Sequence, residues 1–264
     1  MGKTTAQELY AQLYDVQVPD WSGEVDFYRE MIVRSPLADK GVLEVACGTG
    51  RIALRLAKEG VNITGLDLSS ELLDIARGKS AGMSNVNWVL GDMKTFEIGT
   101  KFGSVIMPGH SFQFMNTPGE QVKCLERIKH HLVEGGLLII HLDHQDVSWL
   151  AGLVKQEAPV YEKGRLLTHP VTKLKYRYLY AWSFEPSTQT ATIRSNWEEM
   201  GENGNVIQVY EMEPKRLHCV FRFEMEHLLK RTGFSIEAVY GDFFKNELSD
   251  TSSEMIWVAS NRTG

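Results

Sequence analysis

The sequence predicts an α/β fold: a doubly wound seven-stranded sheet, mostly parallel, with an antiparallel β insertion and an N-terminal helical lid. Apolar runs alternate with helix-period segments from about residue 42 to 142, the pattern of repeated βα units on a parallel sheet. Between residues 171 and 219 the chain turns to strand-like runs parted by "EPST" and "GENG", as antiparallel strands require. A helical pattern and two further strand-like runs then close the chain.

Each element has a local reason. "GVLEVA" is the first strand, and "RIALRLAKEG" is a helix with Ile52 and Leu56, and Ala53 and Ala57, at four-residue spacing and Gly60 as terminator. "VNITGLDL" is the second strand, with Ser69 or Ser70 capping the helix "SELLDIARGK". "NVNWVLGD" and "FGSVIMPG" are the third and fourth strands. Val122, Leu125, Ile128 and Leu132 mark a helix that ends at Gly135-Gly136, before the strand "LLIIHL". Upstream, "AQELYAQLYD" and "GEVDFYREMIVRS" are amphipathic helices. "VTKLKYRYLYAWSF", "TATIRSNWEEM" and "VIQVYEMEPKRLHCV" are the strands of the insertion. "FEMEHLLKRTGF" is a helix stopped by Gly233, and "SIEAVYG" and "EMIWVAS" are the closing strands.

Composition narrows the function. With 264 residues and 43% hydrophobic content, one sizeable domain suffices. A formal net charge of −6, from 28 Lys and Arg against 34 Asp and Glu, makes nucleic acid an unfavoured partner. Cys47, Cys124 and Cys219 are odd in number and far apart, which argues against a disulfide framework or a zinc knuckle. No apolar run approaches the roughly 20 residues of a membrane span. The expectation is a cytoplasmic protein that does not enter membranes. No spaced His/Asp/Glu cluster implies a metal.

The turn "EVACGTGR" is the first candidate site, because Ala46, Gly48 and Gly50 let a ligand lie on the backbone between strand end and helix start. The acids decide what kind of ligand. Asp67 ends the second strand, where a carboxylate receives both ribose hydroxyls, and Asp92 ends the third, where it receives an exocyclic adenine amine. With Glu44 inside the first strand, these acids suit a cationic nucleoside better than a pyrophosphate. S-adenosylmethionine has an adenosine, a sulfonium and an ammonium, and no phosphate.

"VLEVACGTGR", "ITGLDLS", "VLGDM" and "GSVIMPGHSF" together resemble the class I S-adenosylmethionine-dependent methyltransferases, of Rossmann-like fold. They are especially similar to the bacterial small-molecule group that opens with a "YD" segment and contains amino-sugar N-methyltransferases. The resemblance implies that Glu44, Ala46, Cys47, Gly48 and Gly50 line the methionine end and that Arg51 reaches its carboxylate. It also implies that Asp67 binds the ribose, that Leu68 and Leu72 flank the adenine, and that Asp92 and Met93 close its edge. Pro108, Gly109 and Phe112 would pass under the sulfonium, and Tyr14 would close over the methionine moiety. S-adenosylhomocysteine would be the product. The implied parts are a lid at 1–35, a cofactor-binding core at 40–145, an insertion or substrate cap at 146–220, and a closing helix and strands at 221–264.

Methyl transfer is an in-line displacement, and an acceptor hydroxyl or ammonium must first lose a proton. His110 after the fourth strand and His144 after the fifth are the candidate bases. His141, inside an apolar strand, reads as structural, and so does the Cys47 thiol. Tyr176, Tyr178, Tyr180 and Trp182 alternate along one strand. Their face would select a ring-shaped acceptor, cover a core, or form the contact of a homodimer. The function expected is methyl transfer to O or N of a small molecule. An RNA or protein methyltransferase would need a basic groove or peptide-binding edge, and a non-catalytic S-adenosylmethionine-binding module would bind without turnover.

Overall fold

The computed structural model describes residues 4–18, 20–154 and 160–262. In chain order its regular elements are α1 (Ala6–Gln17), α2 (Glu24–Val33), β1 (Val42–Val45), α3 (Ala53–Lys58), β2 (Ile63–Asp67), α4 (Ser70–Lys79), β3 (Val86–Leu90) and β4 (Phe102–Met107). There follow α5 (Pro118–His131), β5 (Leu132–Asp143), α6 (Val147–Leu153), β6 (Glu162–Thr168), β7 (Lys175–Glu185), β8 (Thr190–Met200), β9 (Val206–Glu211), β10 (Lys215–His218), α7 (Arg222–Arg231), β11 (Ser235–Tyr240) and β12 (Glu254–Ser260). The chain divides into two compact units, one of Asp20–Gln145 with Val220–Gly264 and one of Met1–Pro19 with Asp146–Cys219.

The larger unit is built on the expected seven-stranded sheet, in the order β11-β12-β5-β4-β1-β2-β3. Strands β1 to β5 and β11 run one way, and β12 alone runs against them. Alternation along the strands assigns each face its helices. Val42, Ile106, Ile139 and Ile256 point to the side where Phe27, Tyr28 and Ile32 of α2, the α3 cap residue Ile52 and Leu56 of α3 pack. Leu43, Val105, Leu138 and Trp257 point to the other, against Leu125 and Ile128 of α5 and Met225 and Leu229 of α7. With helices on both faces, β1 and β4 are buried along their whole length, as central parallel strands are. Helix α2 is thus part of this core rather than part of a lid. Ser69 is the cap of α4, its Oγ accepting from the Leu72 N–H at 3.2 Å.

One boundary differs from the sequence reading. Helix α5 stops at His131, and β5 starts at once and runs through the two glycines. Leu132 pairs with Phe102 and Leu137 with Ser104, so the strand bulges between them. Gly135, at φ 73°, supplies the left-handed residue such a bulge needs.

In the smaller unit β10, β8, β7 and β6 form an antiparallel sheet, and β9 also pairs with β8. The segment read as one strand over 206–220 is two, because β9 pairs with the second half of β8 and β10 with the first. Pro214 stands in the break, where it has no N–H to give a ladder. Strand β6 and helix α6 were not anticipated. Tyr176 and Trp197 are buried with Leu9 and Leu13 of α1, and Tyr178 and Tyr210 pack against them. Trp182 instead packs against Leu150, Ala191 and Cys219. These rings serve the unit's own core. Among the described residues, no helix is long and apolar enough to cross a membrane.

Candidate active site

The carboxyl ends of β4, β1, β2 and β3 lie side by side, the edge at which open parallel sheets bind ligands. Glu44 sits within β1, 2% exposed, in register between Gly65 and Ile106. Burial drives its carboxyl up to about 8, against the pull of the Arg51 charge. Its Oε2 has no hydrogen-bond partner among the described residues, and an orphaned buried oxygen is costly unless a ligand donor satisfies it.

Beyond β1 the backbone turns left-handed at Ala46, Gly48 and Gly50, with φ of 58°, 57° and 76°. Ala46 carries a Cβ in that conformation, at a cost of about 1 kcal/mol. The Gly48 N–H donates to Asp67 Oδ2 at 2.7 Å and the Ser69 N–H to Oδ1 at 2.9 Å. The Asp67 carboxylate thereby ties the turn after β1 to the turn after β2. Burial raises its affinity for a proton, and these backbone donors work against that. Gly50 also has a packing reason: a Cβ there would stand 2.5 Å from Trp88, and one at Gly65 would run into Trp88 and Cys47. At Gly50 the close neighbour is an indole ring, which in turn donates from Nε1 to Ser80 Oγ at 2.9 Å.

Arg51 begins the helical turn after this loop and is held by two carboxylates. Its Nη1 donates to Glu24 Oε2 at 2.5 Å and to Asp20 Oδ1 at 3.0 Å, and its Nη2 to Glu24 Oε1 at 3.1 Å. The Glu24 side chain is 1% exposed. Its burial favours the neutral acid and the guanidinium opposes this. Within the chain the anion at Arg51 is therefore its own Glu24.

Trp21 lies over Arg51, 5.4 Å from guanidinium carbon to ring centroid, and donates from Nε1 to Glu254 Oε1 at 2.9 Å. The other oxygen of Glu254 lies 2.7 Å from His110 Nε2 and 2.6 Å from His141 Nε2. These donors sit within 4.8 Å of one another, close enough to hold a metal ion, a grouping the sequence reading did not foresee. The hydrogen bonds favour another use. The Gly109 N–H donates to His141 Nδ1 at 3.3 Å, so the proton of that ring sits on Nε2, where it faces Glu254 as a donor and has no lone pair for a cation. Burial pushes His141 down to about 4, which keeps it neutral. Burial alone would raise Glu254, but the bonds from His110 and His141 outweigh it and hold it down to about 2.

Residues 42–136 match the methyltransferase domain family. YqeM of Bacillus subtilis (strain 168), whose name proposes methyltransferase activity, is 24% identical over 86% of this chain and 87% of its own. The Streptomyces fradiae dTDP-3-amino-3,6-dideoxy-alpha-D-glucopyranose N,N-dimethyltransferase is 34% identical over 50% of this chain and 51% of its own. The S-adenosylmethionine-dependent methyltransferase from Clostridium acetobutylicum ATCC 824 superposes with a TM-score of 0.77 at 19% identity, covering 96% of both chains. The chain carries a methyltransferase domain at residues 42–136 on a Rossmann-like methyltransferase fold.

The expected site residues divide. Glu44, Ala46, Gly48, Asp67, Asp92 and Met93 stand at the ends of β1, β2 and β3. Asp92 accepts from the Lys94 N–H at 2.8 Å and keeps its side chain 32% exposed. Leu68 is 71% exposed, free to flank a ring, whereas Leu72 is 8% exposed against the sheet. Pro108 is buried and Gly109 faces open space. Phe112 is corrected: it is wholly buried in the cluster with Leu125 and Met225, because the short helical turn after β4 points its ring inward. The Cys47 thiol is buried, and that burial pushes its proton affinity well up. His144 is tied through Nδ1 to the Ser252 carbonyl at 3.0 Å and stands outside the Glu254 cluster. Tyr14 belongs to the smaller unit, where its ring meets Tyr10 edge-on. Glu254, Trp21 and Glu24 went unread as site residues.

Proposed function

We propose that the chain is an S-adenosylmethionine-dependent methyltransferase that acts on a nitrogen of a small molecule, with Glu44, Gly48, Asp67 and Asp92 holding the cofactor and His110 as the base. The observation that carries the cofactor assignment is the buried, unpartnered Glu44 Oε2 one strand from Asp67, a pair of acceptors suited to an ammonium and a ribose. When bound, S-adenosylmethionine supplies a methyl made electrophilic by its sulfonium. Asp67, whose oxygens are already oriented by Gly48 and Ser69, has acceptor capacity left for ribose hydroxyls. The nitrogen acceptor is supported by the Streptomyces fradiae relative, whose name specifies an amino sugar and N,N-dimethylation. A protonated amine has no lone pair, so the chain must take a proton before displacement. His110 is 22% exposed at its side chain, and its Nδ1 has no hydrogen-bond partner among the described residues. The net charge of −6 supports a small acceptor over a nucleic acid, and three free cysteines support a cytoplasmic setting.

Titration calorimetry with S-adenosylmethionine, S-adenosylhomocysteine and NADH tests the binding reading. One-site binding of both adenosyl ligands, weakened at least tenfold in Asp67→Ala, is the expected result. Binding of NADH alone, or an unchanged Asp67→Ala, would remove the assignment. A screen of amines, amino sugars and alcohols for loss of methyl donor then tests the acceptor atom.

A further inference from the structure

We infer that Glu254 is a positioning residue: it fixes the proton of His110 on Nε2 and so leaves Nδ1 as that ring's only lone pair. The inference rests on His110 being the base. Glu254 is the first residue of β12, and because that strand runs against its neighbours, its beginning lies where β4 and β5 end. Glu254 pairs with Asp143 and Ile256 with His141, which sets the carboxylate over the His141 ring.

Three nitrogens converge on this one carboxylate, at 2.6, 2.7 and 2.9 Å, and the ones from His141 and Trp21 are N–H donors. A carboxylate that accepts the two donors from His141 and Trp21 is ionised, and an ionised oxygen 2.7 Å from His110 Nε2 requires the proton to be on that nitrogen. His141 cannot reverse the arrangement, because the Gly109 N–H occupies its Nδ1. Its role is that of a neutral, immovable donor that anchors Glu254. Trp21 does the same from the other side and meets both imidazoles edge-on, at 5.3 and 5.1 Å between centroids.

The backbone supports a positioned ring. Gly109 and His110 are consecutive left-handed residues, at φ 64° and 62°. Non-glycine residues hold that conformation where surrounding contacts determine it, often at working sites. When His110 takes a proton at Nδ1, the imidazolium forms 2.7 Å from a negative charge, which stabilises it without any rearrangement.

The test reads the tautomer directly. Full-length protein labelled with ¹⁵N at histidine is recorded by long-range ¹H–¹⁵N correlation at neutral pH, with His110→Asn and His141→Asn to assign the signals. The expected wild-type result is an Nε2–H tautomer for both rings, and in Glu254→Gln a mixture at His110. That measurement needs no acceptor, so it separates this inference from the proposed function. An Nδ1–H tautomer at His110 in the wild type would overturn it, as would a transition-metal ion retained at one per chain with the Nε2 signals lost. An unchanged tautomer in Glu254→Gln would overturn it too. If the variant does not fold, the wild-type spectrum still decides. In turnover of an amine found by the screen, Glu254→Gln and His110→Asn each lose about a hundredfold or more, and the double variant loses no more than the larger single loss. A fully active His110→Asn would sink the base reading and leave the tautomer result standing.

Discussion

Replacing Glu44 by glutamine separates two effects of one buried carboxyl. In the folded chain Glu44 holds its proton up to about pH 8, against an ordinary value of 4.5, while the unfolded chain releases it near that ordinary value. A group with a raised folded value binds more protons folded than unfolded between those limits, so it makes the wild type lose stability as pH rises from about 4.5 to 8. The slope is roughly 1.4 kcal/mol per pH unit. Glutamine mimics the neutral acid in size and shape but does not titrate. Urea unfolding of both proteins at pH 5.5 and 7.5 should show the variant gaining about 2 to 3 kcal/mol on the wild type between them. Subtracting the wild type cancels other groups, including Asp67 and Glu24. A difference that does not change with pH would refute the claim that burial keeps Glu44 protonated. The same variant tests the ligand side, since a cationic ligand beside Glu44 favours its charged form. S-adenosylmethionine binding should release a proton in the wild type, seen by calorimetry in buffers of different ionisation enthalpy, and the release should shrink in Glu44→Gln.

Arg51→Ala strands a buried Glu24 and should destabilise the fold by about 3 to 5 kcal/mol, with Glu24→Gln added to it restoring most of the loss. A fully additive double variant in urea denaturation would show that the pair does not interact. Gly65→Ala should cost about 1 to 3 kcal/mol as the new methyl displaces Trp88, and a red shift and broadening of the indole fluorescence should accompany the lowered midpoint. A midpoint equal to wild type would mean the ring has room that the close approach denies.

The sheet was legible because its signals are local. Short apolar runs, the Ser69 cap and the terminal glycines each act within a few residues, and β1 to β5, β11 and β12 follow from them. Strand β6, "EKGRLLT", mixes charge, glycine and a short apolar pair, so its strand state is set by pairing with β7. The α5–β5 junction was misplaced because a glycine pair reads as a helix stop while here it shapes a bulge within the strand. In the site, Glu44, Asp67 and Asp92 were visible because a βα turn places the last strand residues at a known edge. The partners were not. Arg51 meets Glu24 across 27 residues and His110 meets Glu254 across 144, and no local pattern encodes such pairings. Phe112 was misread because apolar character does not reveal whether a short turn points a ring toward ligand or core.

Among the described residues strand β12 is the last regular element, yet it lies inside the sheet, and β11 joins the sheet through it. The chain must keep a slot open beside β5 until its final strand arrives, a closure that spans more than a hundred residues and is slow for that reason. Glu254 enters with that strand, bringing the acceptor for Trp21, His110 and His141. Until then two imidazoles and an indole have no common anchor. Maturation of this corner and the last seam of the sheet are one folding event, and a slow refolding phase followed by Trp21 fluorescence would report both.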